Sequence, residues 1–229
     1  MISSKQLRHR VFGAYYREDM CDLYGARRRG LVKPLYWRFH PGIASRRVIF
    51  IHIPRAAGAS VSASLFDDVH VAHHSMRAWL ALEPEFATAA PSFALLRDPF
   101  ARFASSYHFV RAGGASEVGL NGTFRRLTSH IDSIDAYLDF LDGKPALDLD
   151  FVMRPQSWFV SDLKTGKPLV THLFHLDRDG AAIDDFLGRH GGSPLPHRNR
   201  SSGGPLSLTH AQRRHLEALY AADFELWES

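Results

Sequence analysis

The densest apolar run in the chain, Val48-Ile49-Phe50-Ile51-His52, is mostly β-branched or aromatic and predicts a buried strand over residues 48–52. Pro54 stops it, because proline has no N–H to give to a sheet. Gly58 permits a tight turn, and Val61 and Leu65 give the run after Ser60 a helical spacing. Strand, short loop and helix in that order turn backbone N–H groups and the positive end of the helix towards one place. Such a place binds phosphate or sulfate, and Arg55 sets a permanent charge beside it.

The same alternation continues. Residues 76–82 have helical character, and Pro91 leads into a second strand over residues 92–96 that ends at Arg97-Asp98-Pro99. Asp98 is a good N-cap and Pro99 a good first helical residue, so a helix begins there with Phe100, Phe103, Tyr107 and Val110 as its apolar stripe. At about 100° per residue, Ser105 lies nearly opposite that stripe and is expected to face a ligand. Residues 111–130, with Gly113, Gly114, Gly119 and Gly122, read as a mobile loop or lid.

Beyond the lid, Ser133 caps a helix carrying Ile134, Tyr137, Leu138 and Leu141 on one side and closed by Gly143. Residues 169–176 have strand character. Residues 181–190 form a helix with Ile183, Phe186 and Leu187 inward, stopped by Gly191 and Gly192. A last helix opens on a Thr209/Gln212 capping box and turns Leu216, Leu219, Tyr220, Phe224 and Trp227 inward. Strands alternating with helices imply an α/β fold with a central parallel sheet flanked by helices. At 229 residues one domain is expected over residues 48–229, with residues 1–47 as a helical or irregular lead-in packed on it.

Composition changes this picture little. Hydrophobic residues make up 45% and charged residues 23%, ordinary for a globular chain. The formal charge of +4 suits an anionic ligand. Nucleic acid is not expected, since no recognised module is present and the basic residues are spread out; Arg27-Arg28-Arg29 and Arg46-Arg47 read as a solvated face. One cysteine, Cys21, excludes an intrachain disulfide framework and suits a reducing compartment. With no apolar signal core and no run near the roughly 20 residues of a membrane span, a cytoplasmic chain is expected. Exposed aromatics in residues 1–40 leave a homodimer open.

Two strand-end anion sites stand out: the loop of residues 54–60, and Arg97 with Ser105 eight residues on. In a parallel sheet both fall at the carboxyl edge, where ligands bind, and one ligand with phosphates at two ends would satisfy both. At this point the chain resembles the carbohydrate-type, bacterial sulfotransferase family 2-like enzymes that use 3′-phosphoadenosine 5′-phosphosulfate (PAPS). In that family the first loop usually reads His-Ile-Pro-Lys-Thr-Ala-Gly-Thr-Ser and cradles the 5′-phosphosulfate; here it reads His52-Ile53-Pro54-Arg55-Ala56-Ala57-Gly58-Ala59-Ser60. The family's second element, a strand ending Leu-Arg-Asp-Pro and a serine eight residues past the arginine, grips the 3′-phosphate; here it is Leu96-Arg97-Asp98-Pro99 with Ser105. The resemblance runs on through Arg154-Pro155-Gln156 and residues 195–201.

What the resemblance implies is a single-domain, P-loop-like three-layer fold that moves a sulfuryl group from PAPS to a hydroxyl of an acceptor, a glycan or glycoconjugate, leaving the desulfonated nucleotide as product. Arg55, Ala56, Ala57, Gly58, Ala59 and Ser60 would hold the sulfonate end, and Arg97 and Ser105 the 3′-phosphate. Arg198, Asn199, Arg200 and Ser201 would close over the 3′-phosphate or adenine, or else form an ordinary polar turn. Arg154 and Gln156 would face the acceptor, or serve as buried structural residues. The acceptor proton needs a base, and His73 is the first choice with His74 behind it and His70 third. The mechanism requires no metal, and His70, His73 and His74 come with no evident fourth ligand.

The departures weigh against fast catalysis. Arg55 replaces the family lysine and keeps its charge, but it cannot give up a proton near neutral pH. Ala56 and Ala59 replace two hydroxyls, each worth about 1 kcal/mol as a hydrogen bond. A non-catalytic nucleotide-binding protein of the same fold is therefore the alternative. A nucleotide-triphosphate kinase is disfavoured, because no G-x-x-x-x-G-K-[ST] run is present.

Overall fold

The computed structural model describes residues 4–114, 119–196 and 203–229. In chain order the elements are α1 (Ser4–Phe12), α2 (Arg17–Tyr24), α3 (Arg29–Tyr36), α4 (Pro41–Arg46) and β1 (Ile49–Phe50). Helices α5 (Gly58–Leu65), α6 (Met76–Leu82) and α7 (Pro84–Ala89) lead to β2 (Ser92–Leu96) and α8 (Pro99–Arg111). Next come α9 (Gly122–Leu127), α10 (Ile134–Leu141), a 3₁₀ turn at Ala146–Asp148 and α11 (Ser157–Val160). The strand β3 (His172–His175) and helices α12 (Gly180–Arg189), α13 (His210–Leu219) and α14 (Ala221–Glu228) close the chain. The protein is thus mixed α/β with a small parallel sheet in the order β1-β2-β3. No helix among the described residues is long and apolar enough to cross a membrane.

The chain divides into two compact units built from interleaved segments. One comprises Tyr16–Asp98 and Gln156–Arg200; the other Met1–Tyr15, Pro99–Pro155 and Ser201–Ser229. The first 47 residues are therefore shared between the two.

The sheet lies in the first unit. Every residue of β2 is buried, as the continuous apolar run of a central parallel strand requires. Ile49 and Phe50 pair with Ser92 and Phe93, and the Ile51 N–H still donates to the Phe93 carbonyl at 2.8 Å. Only part of the five-residue run 48–52 is therefore regular strand: beyond Ile51 the chain turns into the loop. The ring of Phe93 meets Phe50 at 5.0 Å and Phe186 at 4.9 Å, which fastens α12 to the sheet. In the same unit Arg77 ties three elements together. Its guanidinium donates to the carbonyls of Trp158 (2.6 Å) and Ser161 (2.7 Å) and pairs with Asp22 at 3.2 Å.

The second unit is helical. The Tyr137 hydroxyl lies 2.6 Å from the Ser106 hydroxyl, which donates to the Val152 carbonyl, and Tyr220 donates to the Met153 carbonyl at 2.6 Å. Three expectations need correction here. The expected lid contains α9, begun by Asn121, whose side chain accepts from the Thr123 N–H. The last helix is two, α13 and α14, separated at Tyr220. Helix α8 has no wet face opposite its stripe: Arg102, Ser105 and Ser106 are buried with Phe103 and Tyr107. A helix buried on most of its sides shows little amphipathic contrast, so periodicity could not reveal its environment.

Candidate functional site

The candidate site is built at the carboxyl end of β1. Leaving the strand, the backbone enters the left-handed region at Arg55 (φ 67°) and again at Ala57 (φ 58°), and α5 begins at Gly58. Neither residue is glycine, and such dihedrals in alanine or arginine cost energy that the surroundings must supply. The Ala56 N–H closes a turn on the Ile53 carbonyl at 3.3 Å, and the Ser60 N–H donates to the Ala57 carbonyl at 3.0 Å. The Gly58 and Ala59 N–H groups come before the first bonds of α5, which run from Ser60 and Val61 to the Ala57 carbonyl, and the helix dipole adds to the positive field there. Ala56, Gly58 and Ser60 are buried, Arg55 and Ala57 half-buried, and Ala59 exposed.

Strand β2 ends one strand over, and its next residue reaches the loop. The Arg97 guanidinium donates to the Arg55 carbonyl at 3.3 Å. Gln156 fixes the Arg97 backbone from both sides: its Oε1 accepts from the Arg97 N–H at 3.0 Å, and its Nε2 donates to the Arg97 carbonyl at 2.9 Å. The two loops expected to share a sheet edge therefore do so, and a third segment locks them.

Three histidines stand at or behind the loop. His52 is buried, and its Nδ1–H donates to the Val71 carbonyl at 2.7 Å. Its ring lies where a side chain at residue 58 would stand, so only glycine fits there. His73 is half-buried, and its Nδ1–H donates to the His52 carbonyl at 2.8 Å. Burial, then the neighbouring imidazoles, push the His73 pKa well below the usual value, and burial alone holds His74 at about 4. His74 packs in an aromatic cluster, 4.4 Å from the Trp37 ring, and its Nδ1 is buried without a hydrogen-bond partner among the described residues. Of the two candidate bases, His73 belongs to the loop and His74 to the core.

The remaining expected residues fall elsewhere. Ser105 is 2% exposed, so the expectation of an open face at that serine is corrected. Arg154 is fully buried; its Nε donates to the Leu149 carbonyl at 3.1 Å and its guanidinium lies 4.5 Å over the Phe151 ring. Gln156 is equally buried and its amide is spent on Arg97. Both therefore take the structural of their two readings rather than facing an acceptor. Arg198, Asn199, Arg200 and Ser201 lie outside the described residues. Two groups escaped the sequence reading: His52 as part of the site, and Gln156 as the clamp on Arg97. The signal for His52 was its place at the strand end, directly before the turn.

Compared with protein-family models, with curated proteins and with solved structures, the chain matches none.

Proposed function

We propose that the chain is a PAPS-dependent sulfotransferase of P-loop-like, three-layer architecture whose sheet-edge loop holds the phosphosulfate of the nucleotide. The observation that carries this reading is the junction of Arg55 and Arg97. The Arg97 guanidinium meets the Arg55 carbonyl where β1 and β2 end, beside the N–H groups and positive dipole end that open α5, a setting that suits a doubly charged anion. Arg55 and the loop amides would neutralise charge building on the leaving phosphate. His73, neutral at pH 7 and oriented through Nδ1 by the His52 carbonyl, would accept the acceptor proton at Nε2. The acceptor proposed is a hydroxyl of a glycan or glycoconjugate.

A second reading rests on the same geometry. A base held well below its ordinary pKa takes protons weakly, and with Arg55 in place of a lysine this favours a nucleotide-binding protein that transfers nothing.

The test is the product nucleotide, adenosine 3′,5′-bisphosphate. At a hundred times Kd it should stabilise the chain by about 2.7 kcal/mol, a rise of roughly 5–10 °C in Tm. Arg97→Ala should remove that rise. No rise in the unaltered chain sinks both readings. A rise without transfer of radiolabelled sulfate to any acceptor selects the binding protein, and activity gained by Arg55→Lys would confirm that choice.

A further inference from the structure

The histidines at the loop carry a second chemistry. Spacing along the chain puts His70, His73 and His74 together, but the fold sends His74 into the aromatic core and brings in His52 instead. One ring nitrogen from each of His52, His70 and His73 lies within 4.8 Å of the other two. The rings are in mutual contact, with centroids 4.1 Å apart for His52–His73, 5.2 Å for His52–His70 and 5.4 Å for His70–His73.

Two independent features make this more than a cluster. First, His52 and His73 each give Nδ1–H to a backbone carbonyl, of Val71 and of His52 respectively. A nitrogen that donates must carry the hydrogen, so in the neutral ring the lone pair is on Nε2. Metal-binding histidines are oriented in the same way, by a carbonyl or carboxylate on the nitrogen that does not ligate. Second, the three rings differ in exposure: His52 is buried, His73 half-buried and His70 exposed. The inner two form a rigid base and the outer one an entry. Loss of solvation lowers the pKa of each ring, that of His52 to about 4. A neutral imidazole is the form that ligates.

We propose that His52, His70 and His73 form a binding site for a borderline divalent d-block cation, zinc in the first instance, with the fourth position open to water or an incoming ligand. Three imidazoles and an open position suit tetrahedral zinc, with Zn–N bonds of about 2.0–2.1 Å. Tetrahedral bonds of that length set nitrogens about 3.4 Å apart. The cluster must therefore draw in by up to about 1.4 Å from its widest separation, a movement available to the exposed His70 by side-chain rotation. Magnesium and calcium are excluded by chemistry, since both demand oxygen ligands. Resting on the sulfotransferase reading, the site has one consequence: zinc and the acceptor proton compete for the lone pair of His73, so bound zinc silences the base.

The experiment uses the full chain stripped with EDTA and then freed of chelator. Zinc is titrated in competition with a chromophoric chelator, and cobalt is added to a parallel sample to record the visible absorption of a tetrahedral site. The expected result is one zinc per chain, a tetrahedral cobalt spectrum and a zinc-dependent rise in Tm. His70→Ala, at an exposed position that leaves the zinc-free Tm unchanged, should weaken zinc binding by at least about a hundredfold, beyond the 10–100-fold seen for outer-shell losses. His73→Gln should do the same. Zinc uptake equal in the unaltered chain and in His70→Ala, as adventitious binding by other histidines would give, overturns the proposal; so does no uptake at all. Because zinc is measured without nucleotide, loss of the nucleotide response in Arg97→Ala leaves this result untouched, and the two ideas fail separately.

Discussion

Gly58→Ala tests the loop at its tightest point. The backbone of Gly58 is right-handed and helical, so alanine costs nothing in φ and would ordinarily stabilise by about 1 kcal/mol at a helical position. Here the added Cβ runs into the Nε2–Cδ2 edge of His52, a buried ring anchored by its Nδ1–H bond to Val71. Forcing an extra carbon into a packed interior costs about 1–3 kcal/mol. Swinging the ring away instead gives up a hydrogen bond of about 1 kcal/mol and leaves a buried carbonyl unsatisfied, which costs about 1–3 kcal/mol. After the helical gain the net loss is about 1–2 kcal/mol by either route, or a fall in Tm of roughly 2–8 °C for a chain of this length. The assay is urea unfolding, followed by circular dichroism with EDTA present, of the four corners of a double-mutant cycle with His52→Ala. Without the ring, Gly58→Ala should change sign and stabilise, giving a coupling of about 2–3 kcal/mol. A loss under about 0.5 kcal/mol in the unaltered chain, or the same loss in both backgrounds, would refute the steric argument.

Gln156→Ala leaves the N–H and C=O of Arg97 without their partner and should cost about 2–4 kcal/mol in urea unfolding, while Gln156→Glu, which can still accept from the N–H, should cost less. Burial holds His52 and His74 at about 4 against an ordinary 6.5, so between those values the unfolded chain binds more protons than the folded one. Stability is then complete above pH 6.5 and lost as the pH falls towards 4; with EDTA present, His74→Phe should flatten that slope by up to one proton, about 1.4 kcal/mol per pH unit, and an unchanged slope would count against a buried neutral His74. Cys21 is fully buried and burial raises its thiol to about 12, so a thiol reagent at pH 8 should label it only as fast as the chain opens, and rapid labelling of the native protein would contradict its placement.

Local punctuation carried most of what could be read from the sequence. Pro91 and Pro99 bracket β2 and start α8, and both elements lie where the residues place them, because proline acts on its immediate neighbours alone. Ser133 and Thr209 cap their helices, their side-chain oxygens accepting from the Ala136 N–H and the Gln212 N–H, for the same reason. What failed was whatever depends on distant partners. Ser105 was placed on the correct side of its stripe, but periodicity names faces and not what covers them. His73 ranked only just ahead of His74 until Trp37 claimed the latter, and His52 entered the cluster through a carbonyl 19 residues away. The convergence of the Arg55 and Arg97 loops was legible because parallel neighbouring strands end at one edge, a constraint that holds whatever the helices do.

The clamp between Gln156 and Arg97 has a consequence for the chain's modularity. The segment Pro99–Pro155 departs just after Arg97 and rejoins just before Gln156, and these two residues are held within one side chain's reach. The residue that follows β2 is therefore held across 59 residues of chain. The stretch between is not a free module: His9 bonds to Asp148, Gln212 to Asp135 and Tyr220 to Met153, so exchanging it alone would strip partners from segments at both ends of the sequence.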